Sequence, residues 1–257
     1  MVQRSRVRSV GSDGDPREGR HPGADRFFFV HLQKTGGTTL WRRLHHHFPP
    51  EAFYPGPGDG SPPESVLVVG NLLSRWRARR DDIRVVTGHF PLCTAELLDA
   101  PFTTMTILRE PVERTLSQLR HRRETTPADR DTPLEELYEE PIRLHGLIHN
   151  HMVKMLSLTT EEMTEGTMTR VEFTTDRLER AKANLTTVDV VGLQEHFEDF
   201  CDRLATRFGW DLGPPAFANR TQPIEVSSAF RRRIADDNAA DVELYEFARK
   251  LYIRTRS

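Results

Sequence analysis

The stretch F27-F-F-V-H-L-Q-K-T-G-G-T-T-L-W41 leaves little freedom for the fold around it. Phe27 to Leu32 is a dense apolar run, as a strand buried on both faces requires. Two adjacent glycines follow, and a helical pattern then continues through about His47. In that order, strand, turn and helix gather Gly36, Gly37, Lys34 and the free amides of the helix start around one space, which favours an anion. Thr35, Thr38 and Thr39 add hydroxyl donors. The ordinary phosphate loop carries its lysine after the glycines, immediately before Ser or Thr, whereas Q33-K-T-G-G-T38 carries it before them. The stretch therefore reads as an anion loop of unusual order, with a plain structural turn as the alternative. Alone it does not separate ATP from another phosphorylated donor.

Further apolar runs suggest the sheet that this loop belongs to. Ile83 to Thr87, Thr103 to Leu108 and Val188 to Gly192 are short and rich in β-branched residues. Helical spacing follows in Gln194 to Phe208 and recurs in Ser74–Arg80, Val112–Arg123, Leu134–Tyr138, Arg143–Ser157, Asp176–Leu185 and Asp236–Arg254. Repeated strand and helix predict an α/β chain: a P-loop-like three-layer fold with a central, mainly parallel sheet flanked by helices. Residues 1–25 combine Arg, Asp, Gly and Ser with little periodicity and are expected to form a mobile tail, leaving 26–257 as one domain. The punctuated run PPEAFYPGPGDGSPP, from Pro49 to Pro63, reads as a loop, either a substrate-side lid or an exposed connection.

Composition narrows the partners. A formal net charge of -2 gives no general attraction to nucleic acid or anionic membrane, so any anion site must be local. No apolar run is long enough to span a bilayer and the first residues lack a secretory pattern, so a cytoplasmic location is expected. Cys93 and Cys201 are too few for a disulfide framework or a cysteine zinc site and read as free thiols.

Two further strand ends contribute chemistry. The segment TILREP, from Thr106 to Pro111, directs Arg109 to the same edge as the glycine loop, where a guanidinium can grip a phosphate in bidentate fashion or serve as an ion-pair partner. Ser117, in the following helix, can donate to the same group, and Arg114 is an additional cation; Arg120, Arg122 and Arg123 read as solvated or acceptor-facing charges. V85-V-T-G-H-F90 ends the second of these strands and displays His89, whose titration near neutrality suits a general base, the alternative being a histidine hydrogen-bonded under a loop. The histidines of H45-H-H47 point in different directions on a helix and have no partner ligands nearby in sequence, so no metal is expected. The basic face F230-R-R-R-I-A235, including Arg231, reads as exposed charge, with a direct ligand contact as the alternative.

Together these blocks resemble a known family. H31-L-Q-K-T-G-G-T-T-L40 resembles the donor-binding loop of sulfotransferases, particularly the branch of carbohydrate enzymes such as heparan sulfate sulfotransferases. I107-L-R-E-P-V-E-R-T-L-S117 resembles that family's region for the 3'-phosphate. V191-G-L-Q-E-H-F-E-D-F200 and A218-N-R-T-Q-P-I-E-V-S-S228 are similar to later segments, extending the resemblance over most of residues 27–252.

The resemblance implies 3'-phosphoadenosine 5'-phosphosulfate (PAPS) as donor. Lys34, Thr35, Gly36, Gly37, Thr38 and Thr39 would surround its 5'-phosphosulfate end, and Arg109 and Ser117 its 3'-phosphate. Lys34 would also stabilise charge on the bridging oxygen, and His89 would activate the acceptor. Arg220 becomes a secondary donor contact, and Asn150 and Lys154 candidate contacts on a helix near the cleft. The reaction implied is direct in-line transfer of the sulfuryl group to a hydroxyl of a carbohydrate or glycosylated metabolite, without a metal. A catalytically inactive PAPS-binding or interaction domain is one alternative. A nucleotide-dependent kinase is another, disfavoured by the missing Lys-Ser/Thr end of the usual loop.

Overall fold

The computed structural model of the chain describes residues 25–141, 144–163, 165–215 and 225–254. Its centre is a sheet of β1 (Phe27–Val30), β2 (Phe53–Tyr54), β3 (Val85–Val86), β4 (Thr103–Leu108) and β5 (Val190–Leu193), in the order β2-β3-β1-β4-β5. Every pairing is parallel, with Phe27 opposite Val85 on one side and Thr103 on the other. The helices are α1 (Gly37–Leu44), α2 (Glu64–Leu67), α3 (Val69–Arg79), α4 (Pro111–Thr125), α5 (Leu134–Tyr138), α6 (His151–Ser157), α7 (Thr175–Thr187), α8 (Phe197–Phe208), α9 (Ser228–Asp237) and α10 (Ala239–Arg254).

The alternating side chains of β1 divide the core into two layers. Phe27 and Phe29 pack with Leu40 and Leu44 of α1 and with Phe200 and Leu204 of α8. Phe28 and Val30 face the opposite way, toward Trp76 of α3, Val153 of α6, Leu185 of α7 and Leu244 of α10. Burying each such side chain contributes about 1.5–3 kcal/mol, so β1, apolar on both faces, is fixed at the centre of the sheet. A smaller cluster joins α4, α5 and α9 through Val112, Leu116, Leu137 and Phe230. The three-layer α/β arrangement expected from the sequence is the one observed.

Two local expectations are corrected, and one helix appears that the sequence reading did not anticipate. The proline- and glycine-rich segment from Pro49 contains a 3-10 turn, Pro50–Ala52, and the edge strand β2, because Phe53 and Tyr54 are each fully buried on opposite faces of the sheet. Ser228–Asp237, which includes the basic run near Arg231, is a helix capped by the Ser227 hydroxyl, which accepts from the Phe230 amide at 3.1 Å.

The helix expected over Arg143–Ser157 is broken. Leu144–Ile148 is wound more widely, with the His149 amide donating to the Leu144 carbonyl at 2.7 Å, and Asn150 (φ 44°) then turns the chain in the left-handed region before α6 begins.

The break is held by charge. Lys154 Nζ donates to the Gly146 carbonyl at 2.7 Å and to that of His145 at 3.3 Å, while Arg114 donates to the carbonyls of Leu147 at 3.1 Å and Ile148 at 2.7 Å. On the other side, Asp241 accepts the amides of Met152 at 3.1 Å and Val153 at 2.8 Å. Asn150 is locked by the Asn238 side chain and by the Asp241 amide. The backbone groups freed by the break thus find buried partners, as a broken helix requires. Burial pushes the Asp241 carboxyl up to about 6, against the opposing pull of Arg114 and the two amides, and pushes the Lys154 ammonium down to about 8.

Candidate active site

The residues after β1 form a tight cradle. Lys34 (φ 64°) and Gly36 (φ 99°) both adopt left-handed conformations, which costs a lysine roughly 1–3 kcal/mol and a glycine almost nothing. Gly36 caps α1 without a side-chain hydrogen bond, and the first turn of α1 carries no acidic residue, so its amides open toward the crevice. Gly37 is required sterically, since a methyl group there would sit 2.0 Å from both Nε2 and Cδ2 of His31. The Thr35 hydroxyl donates to the Leu32 carbonyl at 2.8 Å, so its one proton is committed to holding the loop and Thr35 can offer an anion only its amide. Thr38 is exposed and Thr39 half-buried at the mouth of the cradle.

The end of β4 meets this loop directly. Arg109 Nη1 donates to the Lys34 carbonyl at 3.0 Å, while the buried Arg109 Nε has no partner among the described residues. Helix α4 crosses beside them, its N-terminus capped by Glu110, which accepts from the amides of Val112 and Glu113. Ser117 is 8% exposed on this helix, and its hydroxyl makes no hydrogen bond to another described residue. Burial lowers the Lys34 ammonium below its ordinary value; Glu124 opposes this, and the nearby charges of Arg109 and Arg120 add to it. Burial likewise lowers Arg109, with Glu113 opposing. Cations that disfavour one another's charge in a half-buried cleft are relieved by a bound polyanion.

His89 lies at the end of β3, as expected. Its Nδ1–H donates to the His31 carbonyl at 2.8 Å; since a carbonyl only accepts, the neutral ring carries its proton on Nδ1 and keeps a free lone pair on Nε2. Burial lowers its pKa from the ordinary histidine value, the hydrogen bond to His31 opposes that, and Lys34 adds to it. The rings of His89 and His31 lie 4.4 Å apart, tilted by 47°, and His31 stacks on Phe29 at 5.2 Å.

The structure therefore brings together Lys34, Thr35, Gly36, Gly37, Thr38, Thr39, Arg109 and His89, with Ser117 on the adjoining helix. Arg220 lies outside the described residues, as do residues 1–24 of the expected tail. Asn150 and Lys154 are buried and committed to the broken-helix joint, and Arg114 is committed there as well. The three consecutive histidines separate: His45 Nδ1 bonds to the Trp41 carbonyl at 2.8 Å, His46 packs on Gly213, and His47 Nδ1 accepts the Asp211 amide at 3.3 Å. Cys93 and Cys201 are buried free thiols, each pushed up to about 12 by burial.

Three residues near the loop were not singled out from the sequence. His121 and Glu124 sit close enough to couple to Lys34, and their spacing from Ser117, four and seven residues on, was the signal that α4 turns one face to the loop. His31 had no periodic signal at all. A groove of about 1220 Å³, lined in part by Phe27, Thr103, Asp189 and Arg207, lies at the opposite, N-terminal edge of the strands. Ligands of open parallel sheets bind at the C-terminal edge, so the cradle is the candidate site despite that groove's size.

Fold and site together define a parallel α/β protein with a phosphate-type loop whose lysine precedes its glycines. No family model matches the chain. In sequence it is 25% identical to heparan-sulfate 6-O-sulfotransferase 2 of Mus musculus, over 90% of this chain and 45% of that protein. The Homo sapiens protein of the same name matches with the same identity and coverage. The chain thus spans less than half the length of these relatives. Among solved structures, a sulfotransferase from Alicyclobacillus acidocaldarius aligns with TM-score 0.46 and 19% identity, over 86% of this chain and 94% of that one. The chain is similar to sulfotransferases. Among the described residues no helix is long and apolar enough to cross a membrane.

Proposed function

We propose that the chain is a PAPS-dependent sulfotransferase that moves a sulfuryl group directly to an acceptor hydroxyl. The observation that carries this reading is the bond from Arg109 to the Lys34 carbonyl, which joins two cationic strand ends beside the free Nε2 of His89. Amides of the loop and of the start of α1 hold the 5'-phosphosulfate, and Lys34 stabilises the bridging oxygen as it leaves. Arg109, through its remaining guanidinium donors, and Ser117 hold the 3'-phosphate. His89 accepts the proton of the attacking hydroxyl at Nε2, while the His31 carbonyl keeps its ring oriented. The sulfur–oxygen bond to the bridging oxygen breaks as the bond to the acceptor oxygen forms, leaving adenosine 3',5'-bisphosphate and a sulfate ester. No step is assigned to a metal.

The acceptor is assigned to carbohydrates or glycosylated metabolites, on the similarity to the two heparan-sulfate 6-O-sulfotransferases. The test is transfer of radiolabelled sulfuryl from PAPS to a panel of glycans and hydroxylated metabolites. Label in a glycan ester is the expected result, and label only in a non-carbohydrate acceptor would redirect the acceptor class.

A further inference from the structure

We propose that His31 is a direct ligand of the transferred sulfuryl group, its Nε2–H donating to a non-bridging sulfuryl oxygen. The inference rests on the sulfotransferase reading and adds a residue to it. His31 occupies the gap between the two halves of the proposed chemistry. One edge of its ring lies on Gly37, where even a methyl group would come within 2.0 Å of Nε2 and Cδ2; the ring centre lies 4.4 Å from that of His89. Phe29 supports the ring from behind, stacked at 5.2 Å and 18°. The group in transit must lie between the α1 amides and the base, and His31 is the side chain fixed against both.

The ring is also chemically uncommitted. Neither of its nitrogens makes a hydrogen bond to another described residue, and the residue is partly exposed. Burial holds its pKa well below the ordinary value, with His89 and Lys34 adding to the effect, so the ring is neutral and has one N–H to give. An anion beside Nε2 selects the tautomer protonated there, because a lone pair would repel it. A neutral imidazole at a helix N-terminus is a known form of hydrogen-bond donor to reacting groups.

The two histidines then divide the work. His89, with Nδ1–H tied to a carbonyl, offers a lone pair and takes the acceptor proton; His31 offers a proton that it never releases and keeps the sulfur in line between the leaving oxygen and the attacking hydroxyl.

The test compares two ligands that differ only in the sulfuryl group, PAPS and adenosine 3',5'-bisphosphate, and two side chains of similar reach, His31→Met and His31→Gln. The His31 carbonyl that orients His89 is retained in both variants. His31→Met should weaken PAPS about tenfold, as losing a hydrogen bond to a charged group does, and should leave the bisphosphate within about twofold. His31→Gln, which keeps an N–H at similar reach, should stay within about threefold of wild type for both ligands. Equal weakening of both ligands by His31→Met, or of neither, would overturn the proposal. Nitrogen-15 imidazole spectra of the unmodified protein give an independent readout: the His31 Nε2–H signal should differ between the PAPS and bisphosphate complexes, and identical signals would contradict the assignment. Failure of the folded wild-type chain to bind the bisphosphate would instead overturn the sulfotransferase reading beneath it.

Discussion

At the scale of single residues, the site is defined by which protons and lone pairs are already committed. His89 has its Nδ1 proton fixed by the His31 carbonyl, which leaves Nε2 as the base. His89→Ala should lower transfer by about 10²–10⁴-fold while changing bisphosphate affinity little, measured as single-turnover transfer beside calorimetric binding. The pH dependence follows from the downward shift of His89. The working form is neutral, so transfer is retained at neutral pH and falls as pH drops through a midpoint below about 6.5, the ordinary histidine value. A midpoint above that value would remove His89 from the role.

Gly37 is constrained as tightly. Gly37→Ala brings a methyl group against the His31 ring, so it should cost about 1–3 kcal/mol of stability and weaken donor binding, read as a lower unfolding midpoint and a raised dissociation constant. The lysine, glycines and threonines of the loop were legible because their order along the chain is their order around the anion. His31 was not, since its position depends on a ring contact with a residue at the end of a different strand.

At the scale of elements, what the sequence revealed depended on length. β4 was expected over Thr103 to Leu108 and is found there, because six residues suffice to show a β-branched run. β2 has two residues and sits among prolines, so periodicity had nothing to register. The break at Asn150 was hidden for another reason: apolar spacing continues through it, and what holds it open comes from α4 and α10, far away in sequence. That joint makes Asp241 a structural residue of high value. Asp241→Ala leaves two helix amides unpaired and removes a carboxylate whose charge supports both Arg114 and Lys154, so it should destabilise the fold by about 3–5 kcal/mol in denaturant unfolding. The native joint has its own pH signature. Because the folded carboxyl is raised to about 6 from 3.8, the folded state takes up the proton more readily than the unfolded chain. The contribution of this group to stability is therefore greatest below about 4 and declines as pH rises through 6.

At the scale of the whole molecule, the parallel sheet turns three separate strand ends toward one crevice. β1 supplies the loop, β3 supplies His89 and β4 supplies Arg109; residues far apart in sequence become one site because each follows a strand pointing the same way. This convergence was legible in the sequence because each group of candidate residues follows an apolar run expected to be a parallel strand. The charges around the crevice, Lys34, Arg109 and Arg120, oppose one another there, and a bound polyanion would relieve that opposition. Donor identity is therefore what the proposed function depends on first, and it can be read by calorimetric titration of the chain with adenosine 3',5'-bisphosphate, alongside ATP with magnesium. The bisphosphate should bind at least about tenfold more tightly than ATP with magnesium, through the charge-assisted contacts to its 3'-phosphate, and Arg109→Ala should abolish most of that preference. Tighter binding of ATP with magnesium, or no binding of the bisphosphate by the folded chain, would contradict it.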